Sequence, residues 1–151
     1  VARRIAEKLN VPSAHIFEVS NLTEALVNEY DVLVLGSSTW GAGELQDDWY
    51  DGVNVLKKCD LSHKYVALFG CGDSDSYSDT FCDAIGIIYE DLKDTHCKFC
   101  GAVDTAGYTF DSSIAVVDGK FVGLPIDEVN EDNQTEERIS AWAEQVKQEI
   151  S

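Results

Sequence analysis

Two stretches of this chain, Val32-Leu-Val-Leu35 and Tyr65-Val-Ala-Leu-Phe69, are apolar without a break at strand length. A strand with one wet face alternates apolar and polar residues. An unbroken run suits a strand covered on both faces, as in a parallel sheet with helices on either side. The surrounding segments have helical spacing. Val1, Ala2, Ile5, Ala6 and Leu9 form one stripe; a helix is expected from about Asp47 to Lys58; Phe81, Ala84, Ile85, Ile88 and Leu92 form another stripe; and Ile139, Trp142, Ala143, Val146 and Ile150 face inward on a last helix from about Thr135. Asn21-Leu-Thr-Glu24 resembles a capping box opening a helix to about Tyr30. His15 to Val19 and Lys98 to Thr105 read as further strands, and residues 107–133, rich in Gly and Asp, as an inserted hairpin or loop. The alternation implies parallel strands joined by right-handed crossovers: an α/β chain, three layers deep, in one domain over residues 1–151.

Composition narrows the function. Eleven Lys and Arg stand against 28 Asp and Glu, a net charge of −17. Such a surface repels nucleic acid and anionic lipid and favours basic-faced partners. No apolar stretch is long enough to span a bilayer, and there is no basic-then-apolar leader pattern, so no membrane association is expected. Five cysteines, an odd number, include a single C-x-x-C, Cys97-Lys-Phe-Cys100, with no second pair to complete a zinc site. Reduced thiols, a cytoplasmic location and no metal are expected.

In sheets of this kind ligands bind beyond the carboxyl ends of the strands. Polar loops follow both apolar runs: Ser37-Ser-Thr-Trp-Gly-Ala-Gly43 and Cys71-Gly-Asp-Ser-Asp-Ser-Tyr-Ser78. They should lie side by side. Each carries an aromatic, Trp40 or Tyr77, beside glycines that permit close backbone approach, which suits a flat heteroaromatic ligand between two rings. Trp49, Trp142 and Tyr65 read instead as core. No Lys or Arg occurs between Lys8 and Lys57 or between Lys64 and Lys93, while the loops and their following turns carry Glu44, Asp47, Asp48, Asp51, Asp73, Asp75, Asp79 and Asp83. A fully reduced flavin readily becomes an anion, and this field opposes it. At an effective dielectric of about 40 and about 10 Å, each carboxylate contributes roughly 0.8 kcal/mol before screening. Several together lower a one-electron potential by on the order of 100 mV.

Ser38-Thr-Trp-Gly-Ala-Gly-Glu-Leu-Gln-Asp-Asp-Trp49 and Phe69-Gly-Cys-Gly-Asp-Ser-Asp-Ser-Tyr-Ser-Asp-Thr-Phe-Cys-Asp-Ala84 resemble the two isoalloxazine-binding loops of flavodoxins, and the resemblance covers nearly the whole chain. Ala106-Gly-Tyr-Thr-Phe110 through Phe121-Val-Gly-Leu-Pro-Ile-Asp-Glu128 looks like the insertion of the long-chain subgroup. The resemblance implies a doubly wound, five-stranded parallel sheet in the order 2-1-3-4-5, one non-covalent FMN, and single-electron transfer between a reductase and acceptor proteins by a monomer. Thr39, Trp40, Gly41 and Ala42 match the first loop, with Trp40 against one flavin face. Cys71, Gly72, Asp73, Tyr77, Thr80 and Cys82 match the second, with Tyr77 against the other face and Asp73 near the pyrimidine edge. Asp127 matches an acidic position at the end of the insertion. The family's first strand and its phosphate loop, a helix-start anion site, are expected ahead of Val1.

Two rival readings share the architecture. An FMN-dependent NAD(P)H:quinone reductase needs open space over the flavin and a nicotinamide site, and two flanking aromatics in acid-only surroundings argue against both. A phosphorylated receiver domain needs an Asp at the end of the Val32–Leu35 strand, where this chain has Gly36-Ser-Ser-Thr39.

Overall fold

The computed structural model describes residues 1–40, 44–45 and 47–150; for Ser38, Trp40, Glu44 and Leu45 only the backbone is described. In chain order the elements are α1 (Ala2–Lys8), α2 (Glu24–Asn28), β1 (Val32–Trp40), β2 (Glu44–Leu45), α3 (Asp48–Lys58), β3 (Tyr65–Cys71), α4 (Asp83–Leu92), β4 (Lys98–Cys100), β5 (Val103–Asp104), β6 (Val116–Val117), β7 (Lys120–Phe121), β8 (Leu124–Ile126) and α5 (Asp132–Glu149).

The two apolar runs form the centre. β1 and β3 pair in parallel from Val32↔Tyr65 to Ser38↔Cys71. Alternate β3 side chains point to opposite faces. Val66 and Leu68 join a core with Trp49, Val53 and Leu56 of α3 and Ile85 and Ile88 of α4. Ala67 joins a second core with Ile5 of α1 and Ile139, Trp142 and Val146 of α5. Val66, Ala67 and Leu68 are wholly buried. Burying one aliphatic side chain of Val or Leu size stabilises a fold by about 1.5–3 kcal/mol. Helices therefore cover both faces, in the three-layer arrangement expected.

Beyond β3 the sheet continues through two short strands on the same edge. β4 pairs with Tyr65–Ala67 and β8 with Phe69–Cys71, both parallel. They are halves of one strand, interrupted by residues 101–123. Thus β1, β3 and the split β4/β8 take the places of strands three, four and five of the expected order. The excursion starts and ends earlier than the 107–133 read from composition. It builds a small antiparallel sheet in the order β5-β7-β6. The β6–β7 hairpin turns through Asp118 (φ 54°) and Gly119 (φ 84°), a left-handed pair whose twist matches the strands it joins.

Several expectations need correction. The strand read over Lys98–Thr105 breaks at Gly101 (φ 80°), where a Cβ would stand 2.6 Å from the Trp142 indole nitrogen. That nitrogen donates to the Gly101 carbonyl at 2.8 Å. His15 to Val19 is not a strand: single 3-10 turns cover Ser13–His15 and Val19–Asn21. Ile16 and Glu18 are extended, but a strand requires a paired neighbour, and none of the described strands pairs with this segment. On the far side of β1 the described sheet has β2, a two-residue antiparallel hook on the end of β1. The helix after Asn21 is capped by Thr23, whose hydroxyl oxygen accepts from the Leu26 N–H at 3.1 Å, and it ends at Asn28.

Re-entry into the sheet is tight. A Cβ on Gly123 would lie against the Leu68 carbonyl oxygen and 2.8 Å from the Leu68 carbonyl carbon. Backbone in the middle of the central strand cannot step aside. Gly123→Ala is expected to destabilise the protein by about 1–3 kcal/mol, read as a lower urea midpoint at unchanged m-value.

Candidate functional site

The parallel register of β1 and β3 carries both polar loops to one end of the sheet. A concavity of about 220 Å³ opens there, lined by Thr39, Cys71, Gly72, Asp73, Tyr77, Thr80, Cys82 and Val129. Seven of these are sequence-predicted site residues. Of the other three, Trp40 ends β1 opposite Glu44 of β2, and its side chain lies outside the described residues, as do Gly41 and Ala42 altogether. Pockets that engulf drug-sized ligands run to about 300–1,000 Å³, so this space fits one planar ring system rather than a whole nucleotide.

Close packing builds its floor. Cys82, wholly buried, sits in the left-handed region (φ 53°) as the N-cap of α4 and offers no side-chain cap. Thr39 supplies one from the neighbouring strand: its hydroxyl oxygen accepts from the Ala84 N–H at 3.0 Å. The first loop's strand is thereby tied to the helix that follows the second loop. A Cβ on Gly72 would stand 2.9 Å from Cys82 Sγ and 3.0 Å from its backbone nitrogen, so glycine is what lets the two segments touch. Burial pushes the Cys82 thiol well up and the Cys71 thiol up, so both stay protonated at neutral pH and serve as apolar lining.

The rim is polar and aromatic. Tyr77 is 48% exposed, its N–H donating to the Asp73 carbonyl at 2.9 Å. Asp73 Oδ1 accepts from the N–H groups of Asp75 (3.1 Å) and Ser76 (3.0 Å) and from the Asn130 amide (2.8 Å). The Ser76 N–H, with Asn130, holds its carboxyl below the usual range, so it is an anion at neutral pH. Val129, 69% exposed, also lines the concavity. Neither the spacing nor the composition of the β8–α5 turn signals Val129, which the fold alone brings to the site.

The excursion supports the second loop from outside. The N–H groups of Asp111 and Ser112 donate to the Ser78 carbonyl at 2.9 and 3.0 Å, and the Ser112 hydroxyl donates to the Asp79 carbonyl at 2.6 Å. Asp83 is engaged here too. It is buried, and its Oδ1 accepts from the Ile114 N–H at 3.0 Å; burial pushes its carboxyl up, against the pull of its bonds to Ile114 and Ser113. Asp83 therefore belongs to the interior and drops out of the acidic rim. Asp47, Asp48, Asp51, Asp75 and Asp79 are exposed, as the electrostatic reading requires.

The C-x-x-C does not form a dithiol centre. Cys97 packs against the α3/α4 core and Cys100 lies in the α1/α5 core, on opposite faces of the sheet, and both are free thiols. Among the described residues no cluster of three or more His, Cys, Asp or Glu is placed to hold a metal.

The Thr39 bond can be tested directly. Thr39→Val orphans the Ala84 N–H and is expected to lower unfolding free energy by about 1–2 kcal/mol in urea titration, while Thr39→Ser keeps most of it.

Comparison with known proteins agrees with this architecture. A family profile described as Flavodoxin matches residues 1–142. Flavodoxin of Helicobacter pylori is 44% identical over 148 residues, covering 97% of this chain and 89% of that one. Flavodoxin 1 of Azotobacter vinelandii is 40% identical over 157 residues, covering 99% and 88%. Among solved structures, Fusobacterium nucleatum flavodoxin bound to flavin mononucleotide superposes with a TM-score of 0.89 at 28% identity, covering 98% of this chain and 88% of that one. The family model and these relatives lead to one conclusion: this chain belongs to the flavodoxin family.

Proposed function

We propose that this protein binds one FMN non-covalently in the concavity beyond β1 and β3 and carries single electrons between redox proteins without turning over a substrate. The observation that carries this reading is the meeting of Thr39 with Cys71, Gly72, Asp73, Tyr77, Thr80 and Cys82 around one space. These residues come from two separate loops, and the exposed Tyr77 ring stands at the edge of that space. The lining suits a flavin: neutral thiols and backbone below, an aromatic face above, and a carboxylate at one side. FMN, when bound, supplies a redox couple that takes up and releases electrons one at a time.

The chain's own residues set the conditions. Tyr77 would cover one face of the ring and exclude water from it, with the backbone around Gly72 at the ring edge. By sequence, the other face falls to Trp40 and the remaining edge to Gly41 and Ala42, which lie outside the described side chains. Asp73 and the exposed Asp47, Asp48, Asp51, Asp75 and Asp79 hold a negative potential around it. That field disfavours the last electron and makes the carrier strongly reducing. The same carboxylates steer basic-faced reductases and acceptors into a fast, salt-sensitive encounter. A monomer in the cytoplasm and membership of the long-chain subgroup complete the reading. No helix among the described residues is long and apolar enough to cross a membrane.

Full-length protein purified from cells is expected to be yellow. Trp40→Ala and Tyr77→Ala should each weaken FMN binding about tenfold or more in fluorescence titration and shift the redox couples, given the size of aromatic stacking plus lost burial. Photoreduction should pass through a blue, half-reduced stage. Direct two-electron reduction by NAD(P)H would support the quinone-reductase reading instead, and a colourless protein that refuses added FMN would overturn both.

A further inference from the structure

Asp127, on the turn from β8 to α5, is the most deeply buried carboxylate among the described residues, with no exposed surface. Among them no Lys or Arg pairs with it, and its charge is met by hydrogen bonds alone. Oδ2 accepts from the Ser74 N–H at 3.1 Å, from the Ser74 hydroxyl, and from the Asn130 amide at 3.1 Å. Oδ1 accepts from the N–H groups of Val129 at 3.2 Å and Asn130 at 3.0 Å. Burial opposes the ionised form, but these donors outweigh it and hold the carboxyl below the usual range.

The donors come from two segments far apart in sequence. Ser74 lies in the loop that lines the concavity; Val129 and Asn130 belong to the turn. The same Asn130 amide that reaches Asp127 also donates to Asp73 Oδ1, and the Gly72 N–H donates to the Ile126 carbonyl at 2.9 Å. The loop from Gly72 to Tyr77 is therefore clamped at Gly72, Asp73 and Ser74 to the β8–α5 turn. A buried carboxylate can accept from donors on both oxygens. An amide of the same shape offers one acceptor oxygen and turns two N–H donors toward other donors.

We propose that Asp127 is a positioning residue for the FMN site: its carboxylate fixes the loop from Gly72 to Tyr77, and so places the Tyr77 ring and the Asp73 carboxylate against the flavin. This role rests on the FMN reading above. It goes beyond that reading in assigning flavin geometry to a side chain that lines no part of the concavity.

The test is FMN titration of full-length apoprotein, with visible circular dichroism of the bound flavin and urea unfolding of the apoprotein measured alongside. Asp127→Asn is expected to weaken FMN binding about 10–100-fold, the range for a lost charge-assisted hydrogen bond, and to change the flavin dichroism. Ser74→Ala, which spares the backbone donors, should weaken binding less. Asn130→Ala, at an exposed position, cuts the bridge to Asp73 without threatening the core; a several-fold loss with altered dichroism is expected, and it decides the matter if Asp127→Asn does not fold. Wild-type affinity and dichroism in the folded Asp127→Asn protein, or in Asn130→Ala when that is the deciding variant, would overturn the role even if apoprotein stability falls. Failure of the wild-type protein to take up FMN would overturn the flavin reading and the role with it.

Discussion

The parallel ladder between β1 and β3 is the interaction on which the molecule depends. Seven registered pairs, Val32↔Tyr65 to Ser38↔Cys71, align two strands whose side chains are taken up by cores on both faces. Parallel strands end at the same edge. The register therefore decides that the chain leaving Trp40 and the chain leaving Cys71 emerge as neighbours. A slip of one residue would turn Val66 and Leu68 toward α5 and Ala67 toward α4, exchanging the two cores. The strength of the core and the geometry of the site are thus one constraint.

Around that edge the structure is tied by backbone and short side chains rather than by ion pairs. Thr39 caps α4, Asp83 catches the excursion at Ile114, and Asp127 catches the second loop at Ser74. Each joins segments far apart in sequence, and each hides a polar group from water while satisfying it. Several ion pairs, Arg4–Glu128, Lys8–Glu136 and Lys57–Asp91, have partners that are largely solvent-facing, and such pairs add little; Arg138–Glu131, mostly buried, is an exception.

Much of this was legible in the residues. Unbroken apolar runs marked the two central strands, because only burial on both faces tolerates them. Helical stripes marked α1, α4 and α5. The loop residues from Thr39 to Cys82 stood out because glycines, hydroxyls and aromatics crowd the ends of two buried strands, and seven of the named ones line one concavity. What stayed illegible depended on distant partners. Ile16 to Glu18 has strand-like residues, but strand identity belongs to a pair. Lys98 to Thr105 looked continuous, yet Trp142 packs where Gly101 must turn. Asp83 counted as a rim charge by its position after the loop, whereas α4 rotates it toward Ile114. Val129 carries no local signal, being an ordinary apolar residue on a turn that the sheet topology carries to the concavity.

The split edge strand has an evolutionary consequence. Cys100 sits beside Ala67 and Leu124 beside Phe69, so the feet of the 101–123 excursion stand a single residue apart on an otherwise continuous ladder. Ancestral chains could gain or shed such an appendage at that seam without rewriting the register of any other strand. Its growth need not have been gradual to be tolerated. Its bonds to Ser78, Asp79 and Asp83 mean that removing it at that seam would also strip the outer support from the second loop and the start of α4.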